Sequence, residues 1–196
     1  MMLPILTVLL VNKAHPLSKE YIPEDLRAVH IPFVSTNPIE KTFLRNEAAH
    51  ALESLYLDAC LQGLTIKGVS GYRSYDRQAF LYESYCSQLG EKEASRISAQ
   101  PGMSEHQTGL AIDLSCHSIN YELNESFGKT KEGQWLSHHS YEYGFIIRYP
   151  QGKENITGYA YEPWHLRYVG IELASELYRG NHTLEEYCMT KKLNVI

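Results

Sequence analysis

Four side chains in this sequence have the types and order of a metal-dependent hydrolytic centre. His106 and Asp113 lie in the stretch GMSEHQTGLAIDLS, and Glu162 and His165 lie in YEPWHLRYVG. A hydrolytic zinc takes about three imidazole or carboxylate ligands and leaves one position open for water. His106, Asp113 and His165 supply that number and that chemistry. Their first spacing is too long for neighbouring turns of a helix. It suits a loop histidine followed by an aspartate at the end of the next strand. Gly109 between them reads as the residue that permits a close turn where a Cβ could crowd the metal. Glu162 is placed to take a proton from water and pass it to a leaving amine. Pro163 argues against a mid-helix glutamate, so Glu162 and His165 are expected on a turn entering a strand. A lone histidine is more often a hydrogen-bonded core or surface residue. The joint occurrence of the four carries the reading.

The elements that must position these residues follow from periodicity and breakers. Asn46–Leu61 is the clearest amphipathic helix, stopped by Gly63. LTIKGVSGYR alternates like a strand up to Gly71, and Ser74 caps a second helix running to Leu89. GLAIDLS, FIIRY and WHLRYV read as strands, with a polar loop over 116–130, a helix over Glu132–Tyr143 and a turn or hairpin over 150–158. Two short helices close the chain, Ile171–Tyr178 and Leu184–Met189, the second with Thr183 and Glu186 as a capping box. Residues 13–41, rich in proline, are expected as an extended arm or a series of turns lying over the domain. Hairpin-linked strands with segregated helices predict an α+β fold built on a mainly antiparallel sheet.

The chain has 196 residues, 43% hydrophobic and 21% charged, which fits one catalytic domain spanning 1–196 with residues 1–44 packed on it as strand and arm. A net charge of −5 gives no nucleic-acid footprint. Fifteen tyrosines suit the walls of a groove for a polar ligand. Cys60, Cys86, Cys116 and Cys188 form no CxxC pair and read as free, mostly buried thiols. The apolar start MMLPILTVLLVNK is shorter than the about 20 residues that span a bilayer, and it lacks a basic leader and a cleavage site. It is expected to form the first strand of a soluble chain, cytoplasmic or the extracytoplasmic part of an anchored protein. The adjacent His138 and His139 diverge on a helix and cannot chelate one ion together. Arg167 shares a strand face with His165 and is expected to support it from behind, with Trp164 turned towards the core.

The blocks SEHQTGLAID, EPWHLRYVG and SGYRSYDRQ resemble those of the VanY-type D-alanyl-D-alanine carboxypeptidases, zinc peptidases that share the fold of the hedgehog amino-terminal domain. The resemblance covers nearly the whole chain. It implies that His106, Asp113 and His165 ligate zinc and that Glu162 is the base. It further implies that Arg73 holds the substrate's carbonyl and terminal carboxylate, with Gln78 and Ser104 lining the substrate pocket. The substrate implied is a peptidoglycan stem peptide or precursor ending in D-alanine, with a role in vancomycin-type resistance or wall remodelling. A D,D-dipeptidase cutting free D-Ala-D-Ala, a bifunctional dipeptidase/carboxypeptidase, an L,D-carboxypeptidase and a non-catalytic zinc domain that binds wall peptide are the alternatives. Retention of Glu162 and Arg73 speaks against the last.

Overall fold

A computed structural model describes residues 9–191. Its centre is a four-stranded sheet in the order β3 (Ile66–Ser70), β4 (Ala111–Cys116), β6 (Glu162–Tyr168), β5 (Phe145–Tyr149), with every neighbouring pair antiparallel. The expected α+β class holds. The proline-rich segment runs mostly as turns and bends, and within and just after it β1 (Leu26–Ala28) pairs with β2 (Phe43–Arg45). Residues 1–8, most of the expected first strand, lie outside the described residues. Beyond them, Asn12 bridges His15 in a tight turn instead of continuing a strand.

The sheet has two chemically different faces. Leu114 and Ile112 of β4, Leu166 of β6 and Phe145 of β5 point into the main core, beside Leu52 and Leu55 of α1 (Asn46–Leu61) and Leu136 of α4 (Lys131–His139). Asp113, His165, Arg167 and Arg148 alternate with these residues, so period two sends them to the opposite face. A second apolar cluster sits at the end of that face, where Ile146 and Leu10 meet α6 (Ile171–Gly180) and α7 (Leu184–Lys191). Among the described residues no helix is long and apolar enough to cross a membrane.

Helix α1 starts and stops where the periodicity places it, and α2 (Tyr75–Leu89) starts at Ser74, whose Oγ accepts a hydrogen bond from the Arg77 amide. It continues through Gly90 into α3 (Glu91–Ile97). The Thr183–Glu186 capping box is present in both directions: the Thr183 amide donates to the Glu186 carboxylate at 2.7 Å and the Glu186 amide to Thr183 Oγ1 at 3.2 Å.

Five local expectations need correction. Asp113 is not at a strand end; it is the third residue of β4, paired on both sides, because the polar face of the sheet continues past it. The helix expected over Glu132–Tyr143 is α4 to His139 followed by a 3-10 turn, Ser140–Tyr143, that tightens into Gly144 at φ +83°. The polar loop over 116–130 contains two 3-10 turns, His117–Ile119 and Glu125–Lys129, and the segment 150–158 contains one turn of helix, α5 (Glu154–Thr157). Of the four free cysteines only Cys116 and Cys188 are buried, while Cys60 is exposed.

Candidate metal centre and active site

His106 sits on a 3-10 turn, Glu105–Thr108, that enters β4. Gly109 ends this turn at φ +66°, in the left-handed region. A Cβ there would stand 2.7 Å from Leu26 Cδ2 and 3.0 Å from Arg45 Cγ, so what it makes room for is the β1–β2 hairpin and not the metal. The His106 ring is fixed by its Nδ1–H, which donates to the Gly71 carbonyl at 2.8 Å. Gly71 is itself obligatory, because a Cβ would stand 2.6 Å from the Phe43 carbonyl oxygen. With Nδ1 engaged, Nε2 keeps its lone pair and faces Asp113 Oδ2 at 3.2 Å.

Asp113 and His165 are cross-strand partners in the β4–β6 register. His165 Nδ1 lies 3.0 Å from Asp113 Oδ1, and the two histidine rings stand at 89° with centroids 5.0 Å apart. One ligand atom from each of His106, Asp113 and His165 falls within 4.8 Å of the others, and all three residues are buried. Ligand atoms around a tetrahedral zinc stand about 3.3 Å apart, so two imidazoles and a carboxylate at these separations fit such an ion. The sequence thus brings its three candidate ligands to one point.

Two irregularities in strand pairing aim the remaining groups. From the Ile147–Leu166 pair to the Tyr149–Glu162 pair, β6 advances by four residues and β5 by two. Without that bulge Glu162 would face away from His165. With it, Glu162 Oε2 lies 3.8 Å from His165 Nδ1, at the first residue of β6. On the other side β3 advances from Gly68 to Ser70 while β4 advances by one residue, which places Ser70 opposite Asp113. Arg73 donates to Ser70 Oγ at 3.0 Å, and one of its terminal nitrogens is 3.9 Å from Asp113 Oδ2.

Gln78, 1% exposed, lies behind the arginine. Its Oε1 accepts from Arg73 at 2.8 Å, and its Nε2 donates to Ser98 Oγ and the Ala99 carbonyl. The amide is therefore spent on protein partners. Ser104, Arg73, Glu162, Trp164, Tyr159 and Tyr85 are among the residues that line one cavity of about 350 Å³ over the triad. Trp164 serves both this wall and the main core.

The field at the site is uneven. Burial, reinforced by Asp113, pushes the Glu162 carboxyl up to about 7, against the pull of His165 and Arg73. Burial opposes ionisation of Asp113, but the two histidines overcome it and hold that carboxyl well below its usual range. Burial lowers His106. One carboxylate is thus held ionised while its neighbour takes up a proton near neutrality.

A buried ion network behind the triad escaped the sequence reading, Arg167 apart. Glu105 Oε1 accepts from Arg148 Nε at 2.8 Å and from Arg167 at 2.7 Å. Arg148 also holds the Glu185 carboxylate of α7 with two bonds, and Arg167 donates to the Leu9 carbonyl. Both arginines have 0% exposure. The signal in the sequence is an arginine inside each of two apolar strand runs, FIIRY and HLRY, which a buried sheet admits only with partners.

A sequence model of the family described as "VanY: D-alanyl-D-alanine carboxypeptidase" matches residues 41–171. YodJ of Bacillus subtilis is 49% identical over 178 residues, 91% of this chain and 65% of that protein's own length. Among solved structures, that of the LdcB LD-carboxypeptidase is 48% identical, with a TM-score of 0.88 over 95% of this chain and 86% of that one. The D,D-pentapeptidase VanY of a VanB-type resistance cassette, solved as a glutamate-to-alanine mutant with Zn(II), is 31% identical with a TM-score of 0.76, over 93% of this chain and 98% of that one. The matched segment contains the triad, the glutamate and all four strands of the central sheet. The chain belongs to the VanY family of D-alanyl-D-alanine carboxypeptidases.

Proposed function

We propose that this chain is a zinc carboxypeptidase that removes the C-terminal D-alanine of peptidoglycan stem peptides, with the D-Ala-D-Ala terminus as its substrate. The observation that carries the reading is the triangle of His106, Asp113 and His165 with Glu162 3.8 Å from one ligand and Arg73 3.9 Å from another. When bound to these three residues, zinc supplies Lewis acidity and lowers the pKa of a coordinated water towards ~7.

Glu162 accepts the proton of the attacking water and returns it to the nitrogen of the departing D-alanine, so the amide C–N bond breaks as a neutral amine leaves. A carboxyl near neutrality suits both halves of that transfer. Arg73 presents its guanidinium to the scissile carbonyl and the terminal carboxylate, where developing negative charge needs a fixed donor. Gln78 holds Arg73 in place, and Ser104 offers a hydroxyl from the cavity wall. A stem peptide is the partner expected at this cavity, and wall remodelling or glycopeptide resistance is the role that follows from trimming it.

A second reading, L,D-carboxypeptidase, is favoured by the 48% identity to the LdcB LD-carboxypeptidase. The test is release of D-alanine from the pentapeptide, the tetrapeptide and free D-Ala-D-Ala. Preference for the pentapeptide supports the D,D reading. Preference for the tetrapeptide establishes the L,D reading, and cleavage of the free dipeptide a bifunctional enzyme. Release from none of the three by zinc-loaded protein refutes the proposal.

A further inference from the structure

Among the described residues, two buried polar atoms near the metal triad have no hydrogen-bond partner: Glu105 Oε2 and His165 Nε2. They face one another at 3.6 Å, just beyond hydrogen-bond reach. Everything else around the glutamate is satisfied. Its Oε1 takes two charge-assisted bonds, from Arg148 and Arg167, and both guanidinium groups are fully buried. Arg148 is in turn clamped by Glu185, whose Oε1 also accepts from Asn12. Arg167 is tied to the carbonyls of Leu9 and Tyr168. The network leaves one carboxylate oxygen free and points it at the nitrogen of His165 that faces away from the triad.

We infer that Glu105 is the positioning residue of the metal centre, the acceptor that keeps the proton of His165 on Nε2 and turns Nδ1 to the ion. The inference rests on the zinc reading above. The geometry on the Nδ1 side is consistent with it: Nδ1 is the nitrogen within 3.0 Å of Asp113 and 3.8 Å of Glu162. The two histidines are then held in opposite senses. His106 is oriented by a backbone carbonyl on Nδ1 and ligates through Nε2, whereas His165 is oriented by a carboxylate on Nε2 and ligates through Nδ1. A carboxylate on the far nitrogen of a ligating imidazole fixes its tautomer and raises its basicity, and losing such a partner typically costs 10–100-fold in metal affinity.

Glu105→Gln keeps the volume. If its carbonyl oxygen stays with the arginines, its amide then places an N–H against the N–H of His165. The measurement is zinc affinity by chelator competition on the full chain, with melting temperature read on the metal-free protein. A 10–100-fold weaker affinity is expected for Glu105→Gln. Glu185→Gln, which loosens the network at its far end, is expected to change affinity less than threefold even where it lowers the melting temperature. Affinity that simply tracks melting temperature across both variants makes the network structural only and overturns the inference. Should Glu105→Gln fail to fold, nitrogen NMR of the zinc-loaded wild type decides: a protonated Nε2 and metal-bound Nδ1 on His165 are expected, and the reverse overturns the inference. A wild-type chain that binds no zinc refutes the underlying reading instead, which separates the two failures.

Discussion

At the scale of single residues, the site works by giving similar groups different environments. Asp113 touches both histidines and stays ionised, whereas Glu162 is raised to about 7 chiefly by burial. In the metal-free protein a glutamate raised in this way holds a proton that the unfolded chain has already released. Stability must therefore fall as pH rises from about 4.5 to about 7. His165 acts in the same direction higher up. Burial alone would lower it, but Asp113 and Glu105 raise it to about 9, so its contribution is full below about 6.5 and is lost as pH climbs through 9. Zinc competes with these protons and binds better as pH rises. Thermal melts from pH 5 to 9 are expected to show the metal-free protein weakening while the stabilisation by added zinc grows. A flat metal-free profile would contradict this. Arg73→Ala is expected to leave zinc content unchanged and to lower kcat/KM by about 10²-fold or more, since it removes a donor aimed at the reacting carbonyl.

The elements supply the precision that single residues lack. Two bulges, one in β3 and one in β6, turn Ser70 with Arg73 on one side and Glu162 on the other towards a strand pair that already aligns Asp113 with His165. No periodicity rule reports a bulge, because it is an exception to alternation set by neighbouring strands. The sequence therefore offered the residues that the fold gathers at this point but not that β6 must break register to aim its glutamate. Helix α1 was legible to its last residue because it packs one apolar stripe on the sheet and is bounded by breakers. Leu52→Ala, at a position with 0% exposure, is expected to cost about 2–5 kcal/mol in chemical denaturation while zinc affinity stays within threefold. The β1–β2 hairpin is latched to α1 by Glu53, which takes two bonds from Arg27 and one from the His30 amide. The Arg27 hydrogen bond holds that carboxyl down at about 2. Its contribution, about 1–2 kcal/mol after solvent screening, is present above about pH 4.5 and lost as pH falls towards 2. Glu53→Gln should lower stability by a constant amount above that window and flatten the profile within it.

The sheet is organised as an apolar face packed on the core and a polar face that carries the candidate metal centre, with the second apolar cluster closing one end. Composition and strand count were enough to read that layering as α+β. They could not reveal the Glu105–Arg148–Glu185 chain, whose members lie 43 and 37 residues apart and meet only after β5, β6 and α7 have docked. Such pairs leave only a charged residue in an apolar strand as their trace. Gln78 shows the same limit. Its family position suggests a substrate contact, yet the folded chain uses its amide to hold Arg73 and the segment at Ser98 and Ala99. The central claim is that zinc on His106, Asp113 and His165 serves a reaction in which Glu162 moves the proton. The most direct test is Glu162→Gln, with bound zinc and D-alanine release measured on the same preparation. Stoichiometric zinc with release lowered by about 10²–10⁴-fold is the expected result. Stoichiometric zinc with undiminished release would contradict it.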